Sequence, residues 1–200
     1  MPYEYRRMTT EERAEVVALR RERGYPLHAP PHPFRNAGWY LITAANFQHK
    51  RIMAGESRRD VFESCLLNAL KTHDVEIGGW VILPNLYHVL LGVASLNVLS
   101  AALQKMHGVT SRQWNLEDDT VGRQVWYKFS DRFIRDEAHY WRALNYLHYN
   151  PLKHRCTQDV YDWRWSSIDL YLQKNGRDWL RGQWVKYPVQ DFGAGWDDDT

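Results

Sequence analysis

Two stretches of this 200-residue chain carry side chains that could do chemistry on a substrate. The first is EAHYWRALNYLHYN at residues 137–150, which reads as a helix. At about 100° per residue, Tyr140, Leu144 and Leu147 form an apolar stripe, while Tyr146 lies about 200° and Asn150 about 240° round from Leu144. Tyr146 and Asn150 are thus an i, i+4 pair on the face turned away from that stripe, with His139 on the same side. A tyrosine and a carboxamide placed there can be a site presented to a substrate. The same pair is equally at home as decoration of a solvated face. The second stretch is the hairpin at residues 80–93, where Leu86, His88 and Leu90 share one strand face. A single histidine there is either a hydrogen-bonded structural residue or a divalent-metal ligand.

The elements that must position these groups follow from the surrounding pattern. Residues 1–24 read as a charged helix, with Thr9 and Glu12 at capping-box spacing and Gly24 as a stop. YPLHAPPHPF, at residues 25–34, carries four prolines and reads as an extended strap. Strands are predicted at 39–44, 75–83, 86–93 and 124–129, with Pro84-Asn85 as the turn between the second and third. Helices are predicted at 58–73, at 97–107 with Gly108 stopping it, and at 137–150 with Pro151 interrupting it or ending it one residue earlier. The order β-α-β-β-α-β followed by a helix predicts an α+β, ferredoxin-like antiparallel sheet with helices packed on one face. The expected organisation is an N-terminal helical arm and strap at 1–34, a main domain at 35–172, and a C-terminal extension at 173–200 with a frayed acidic tail.

Composition narrows the function classes. The 44% apolar content excludes a disordered chain, and no apolar run approaches the length of a membrane span. The start of the sequence lacks the apolar core of a secretory signal, and two cysteines make no disulfide framework, so a reducing cytoplasm is the expected location. With 26 basic against 24 acidic side chains, the net charge of +2 gives no bulk polycation. Ten Trp and twelve Tyr leave room for a local basic surface interleaved with aromatics, a surface suited to single-stranded nucleic acid.

The motifs also occur in a telling order. GWVILPNLYHVLLGV is followed, after a helix and a strand, by NYLHYNPLKH, and together they resemble the REP-associated tyrosine transposases of the HUH single-strand nuclease class. Leu83-Pro84-Asn85 matches the family's turn, and Leu86-Tyr87-His88 stands where the family has His-aromatic-His. Tyr146 matches the nucleophile position and Asn150-Pro151 the Asn-Pro position. GWYLITAANFQHKRI, VWYKFSDRFIRD and DWRWSSIDLY resemble flanking family elements, so the resemblance spans roughly residues 3–172.

The resemblance implies the HUH nuclease fold and attack by Tyr146 on a DNA phosphate, giving a 5′-phosphotyrosine link and a free 3′-OH. It implies a Mg²⁺ or Mn²⁺ ion held by strand histidines and the Asn150 carboxamide. One position departs from the family pattern: the first histidine is Leu86, which leaves His88 and Asn150 as the motif-matched ligands. His73, His107 and His139 are further imidazoles that sequence alone does not place. The implied partner is single-stranded or palindromic hairpin DNA, handled by a monomer or homodimer. Candidate phosphate contacts are Arg6, Arg7, Lys105, Arg112, Arg123, Lys128, Arg132, Arg135 and Arg142. Trp114, Trp126 and Trp141 are stacking candidates or core residues, and Lys153, His154 and Arg155 form a short basic cluster or a solvated helix end. Two readings stay open: an enzyme that cuts and joins strands, and a domesticated protein that binds hairpins without cutting.

Overall fold

The computed structural model describes residues 9–23, 37–73 and 75–193. Helix α1 (Thr10–Arg23) opens with the expected capping box, in which Thr9 N donates to Glu12 Oε2 at 2.7 Å and Glu12 N to Thr9 Oγ1 at 3.2 Å. The strap at 25–34, Gly24, Arg6 and Arg7 lie outside the described residues.

From β1 (Gly38–Ala45) the chain runs through α2 (Glu56–Lys71), β2 (Glu76–Ile82), β3 (Leu86–Val93), α3 (Leu96–Glu117), β4 (Ser130–Phe133) and α4 (Glu137–Lys153). The four strands form one antiparallel sheet in the order β2-β3-β1-β4, the ferredoxin-like arrangement expected from the element order. The two crossover helices cover one face. There Tyr87 meets Phe62 of α2 at 5.0 Å between ring centroids and donates to or accepts from His107 Nε2 of α3 at 3.0 Å. The third helix, α4, covers the opposite face, where His88 meets the Tyr146 ring. Both faces are therefore dry, and every residue of β3 except Gly92 is buried.

The outer edge of β2 is not left open. Ile82 N donates to Trp165 O and Ser167 N to Trp80 O, so the DWRWSS stretch runs beside it as a short extra pairing. Trp163 Nε1 donates to Ile82 O and Trp165 Nε1 to Asp60 Oδ1 of α2, which clamps that stretch to sheet and helix. Two further helices, α5 (Ile168–Asn175) and α6 (Arg177–Lys186), pack on the outer side of α4. Asn145 Nδ2 donates to Gln183 O and Tyr187 O, and Trp141 packs against Trp179 and Tyr187.

Three expectations are corrected. Helix α3 does not stop at Gly108 but continues to Glu117, because Met106, His107, Thr110 and Trp114 are buried along one face on both sides of that glycine. The packing of that face outweighs the roughly 1 kcal/mol helical penalty of one glycine. Pro151 does not end α4; it sits buried inside the last turn, and the helix reaches Lys153. The segment 124–129 is no regular strand. Trp126 makes one isolated bridge to Asn46 and is buried against Phe62 and His107, and ladder pairing begins only at Ser130. Among the described residues no helix is long and apolar enough to cross a membrane.

Glycine permits the close seating of α4. A Cβ on Gly79 would fall 2.6 Å from Leu144 Cδ1 and 2.8 Å from Ser167 Oγ. Gly79→Ala is expected to lower stability by about 2 kcal/mol through overpacking, read as a lower urea midpoint at unchanged slope. An unchanged midpoint would mean that the Leu144 side chain simply swings aside.

Burial also sets a pH dependence. His107, stacked on Trp126, and His148, whose Nε2 lies 3.0 Å from Ser167 Oγ, are each held neutral by desolvation, with pKa values of about 3. In the unfolded chain both return to about 6.5. Below that value the unfolded state binds more protons than the folded state, so stability is complete above about pH 6.5 and falls as the pH drops. The expected fall is at most about 1.4 kcal/mol per pH unit for each histidine. Urea melts at pH 7 and 5 check it, and His148→Gln should flatten the difference.

Candidate nucleophile site

Strand register and helix phase bring the site together. His88 pairs across the sheet with Thr43 of β1, and its Nδ1 lies 2.7 Å from Thr43 Oγ1. That contact orients the imidazole so that its ring reaches Tyr146 of α4, with centroids 5.3 Å apart at 63°. Leu86 and Leu90 flank His88 on the same strand face and add only hydrocarbon.

Helix α4 presents Tyr146, Asn150 and Lys153 at i, i+4 and i+7, positions that share one face. The expectation that this face looks outward is corrected: Tyr146 is 1% exposed and Asn150 0%. Helix α4 is buried nearly all round from Ala143 to Pro151, because the sheet takes one side and the C-terminal residues take others. Phe192 packs on Tyr146 at 5.5 Å between centroids, and Gly193 lies so close that a Cβ there would overlap the Tyr146 ring. Gly193 has a φ of +82°, so glycine suits the position for backbone and space alike. Lys153 Nζ lies 5.5 Å from the Tyr146 ring centroid and donates to Gly193 O at 3.3 Å. Asn150 Nδ2 makes a long contact of 3.5 Å to Tyr146 O, and its Oδ1 is buried with no hydrogen-bond partner among the described residues.

The family resemblance implies a divalent ion here, and the residues can be tested for it. Asn150 Oδ1 is a hard acceptor in want of a partner, which suits such an ion. His88 adds one imidazole, whose Nδ1 is already engaged by Thr43. Leu86 adds nothing, and among the described residues no cluster of three or more His, Cys, Asp or Glu side chains could hold a metal. Two donors do not make a resident divalent site, so the residues present do not fit the ion.

The three further imidazoles singled out from the sequence do not fill the gap. His107 bonds Tyr87 on the opposite face of the sheet. His73 bonds Thr72 and the Ala69 carbonyl at the exposed end of α2. His139 shares the Tyr146 side of α4 but accepts from Arg135 N through Nδ1, and Phe192 packs on its ring.

The basic candidates separate into groups. Arg132, Arg135 and Arg142 gather around His139; burial first, then their charges, holds its pKa down to about 4. Lys128 is exposed just ahead of β4. Lys105 and Arg112 are exposed on α3, which covers the opposite face of the sheet. Arg123 donates to Asn115 Oδ1 and Asp118 Oδ2, and with Arg58 it pulls the Asp118 carboxyl down to about 2. Trp114 and Trp126 are core, and Trp141 is half-buried under α6. Sequence reading passed over Thr43, Phe192 and Gly193. Cross-strand register could have pointed to Thr43 once β1 and β3 were aligned, whereas nothing local marks the other two.

No protein-family model matches the chain, and no curated protein matches it significantly. Among solved structures, a REP-associated tyrosine transposase bound to a REP hairpin superposes with a TM-score of 0.60 at 17% identity, covering 74% of this chain and 88% of that one. A candidate transposase from Deinococcus radiodurans gives a TM-score of 0.40 at 12% identity over 54% of this chain and 86% of that one, below the level at which a fold is shared. By its sheet order, its helices and that first superposition, the chain has the fold of a REP-associated tyrosine transposase.

Proposed function

We propose that this protein is a DNA-binding transposase of the REP-associated tyrosine type, acting on a DNA hairpin with a single-stranded foot. The observation that carries the reading is the convergence of Tyr146 with His88 across the helix–sheet interface, with Asn150 one turn further along the helix. A strand residue and a helix residue 58 positions apart in sequence meet there, and both stand where the family motifs fall. The similar fold of a transposase bound to a REP hairpin supports DNA as the partner.

In this reaction the Tyr146 Oη–phosphorus bond forms as the bond from phosphorus to the 3′-oxygen breaks. The phenolic proton passes to water and the departing 3′-oxygen takes one up, leaving a 5′-phosphotyrosine and a free 3′-OH. The covalent intermediate retains the phosphodiester for transfer to a second strand. Arg132, Arg135 and Arg142, grouped beside the N-terminal end of α4, are the phosphate contacts best placed for the duplex stem.

The test uses a 3′-labelled hairpin oligonucleotide with a randomised single-stranded foot. Its signature is a covalent protein–DNA band on denaturing gels that Tyr146→Phe lacks. A second reading, a hairpin-binding protein that does not cut, draws on Leu86 and on the burial of Tyr146 beneath Phe192 and Gly193. Hairpin binding by the wild type with no adduct in any buffer would select that second reading.

A further inference from the structure

We infer that Lys153, in place of a resident divalent ion, supplies the positive charge that meets the scissile phosphate at Tyr146. The inference rests on the cleavage reading above and deepens it. Attack by a phenol on an anionic phosphodiester concentrates negative charge on the equatorial oxygens. Some fixed cation must face those oxygens for the step to be fast. With Leu86 in the family's first histidine position, the donor set falls short of a metal site. Lys153 is a cation that lies against Tyr146, one turn beyond Asn150 on the same helix face.

Two details of the site agree with that role. First, Lys153 Nζ already donates to a carbonyl oxygen, that of Gly193, whose residue also packs on the Tyr146 ring. A phosphate oxygen entering when Gly193 withdraws would take the place of that carbonyl. Second, Asn150 Oδ1 is buried and accepts from nothing described, so the group that completes this corner is a hydrogen-bond donor or a cation, and an ammonium is both. An ammonium has three donors and can serve a phosphate oxygen and the Asn150 carbonyl together. Lys153 neither gives nor takes a proton in the step: the proton from Tyr146 passes to water and the 3′-oxygen takes one from water.

The experiment uses the full-length chain, the 3′-labelled hairpin with a randomised foot, and parallel reactions in EDTA and in Mn²⁺. The expected result is an adduct in EDTA that falls by about 10²-fold in Lys153→Gln and is retained in Lys153→Arg. A second readout does not depend on cutting. With Tyr146→Phe as background, Lys153→Gln should flatten the slope of log affinity against log salt by about 0.7, the value of one single-strand phosphate contact. An adduct that forms only with Mn²⁺, together with an unchanged salt slope in Lys153→Gln, overturns the inference and leaves the cleavage reading standing. Absence of any adduct from the wild type in either buffer overturns both.

Discussion

Ending the chain after Pro188 is expected to raise the rate of adduct formation by about 10²-fold. Tyr146 Oη cannot meet a phosphate while Phe192 and Gly193 lie on its ring, and the tyrosine as it stands is 1% exposed. Substrate must therefore wait for residues 189–193 to lift, and the apparent rate scales with the fraction of time they do so. Removing the segment converts that fraction to one. The cost is the half-buried apolar surface of Val189 and Phe192, about 1–2 kcal/mol, so the shortened chain should melt a few degrees lower yet remain folded. Phe192→Ala is a milder version, expected to give about a tenfold rise. The measurement is the initial rate of adduct accumulation with the labelled hairpin, alongside a thermal melt. A folded, truncated chain that reacts at the wild-type rate would show that the cover is no obstacle.

The second large effect is expected from Leu86→His. Leu86 and His88 are separated by one residue on β3 and share the strand face that His88 turns to Tyr146 of α4, the helix that also carries Asn150. An imidazole at position 86 would raise the donor set from two to three and turn the site into one with enough ligands for Mn²⁺ to bind with retained waters. Affinity for Mn²⁺ should rise by about 10²-fold or more over the wild type. Adduct formation should then respond to metal and be lost on chelation. Exchanging a buried leucine for a polar ring costs about 2 kcal/mol in the metal-free protein, and metal should restore part of it. Calorimetric titration with Mn²⁺ reads the affinity, and Leu86→His combined with His88→Ala should return it to the wild-type level. Wild-type protein that already binds Mn²⁺ as tightly as the variant would mean that the site has a ligand from elsewhere in the chain.

Local sequence signals located the elements and motifs well where one principle dominated. Strand β3 is found at residues 86–93, as read from the turn pair ahead of it and its β-forming composition. The capping box at Thr9 and Glu12 is formed as its spacing required. The failures came where long-range packing overruled a local preference. Gly108 continues a helix because residues on both sides of it bury one common face. Pro151 stays helical because it is packed inside the last turn of α4. Trp126 leaves the strand pattern because its ring is worth more against Phe62 and His107 than its backbone is in a ladder.

The candidate site divides along the same line. The one-dimensional chain determined that Tyr146 and Asn150 share a helix face, that His88 lies on a buried strand, and that position 86 offers no metal donor. Those properties depend only on residue type and on the periods of helix and strand. Tertiary structure alone decided that Thr43 holds His88, that Lys153 turns back toward the tyrosine, and that Phe192 and Gly193 close over it. Each of these is a contact across 7 to 47 positions of sequence, the separations of Lys153 and Gly193 from Tyr146 marking those two limits. Such contacts follow from which surfaces must bury one another, not from any local pattern, so the outward face expected for Tyr146 became a buried one.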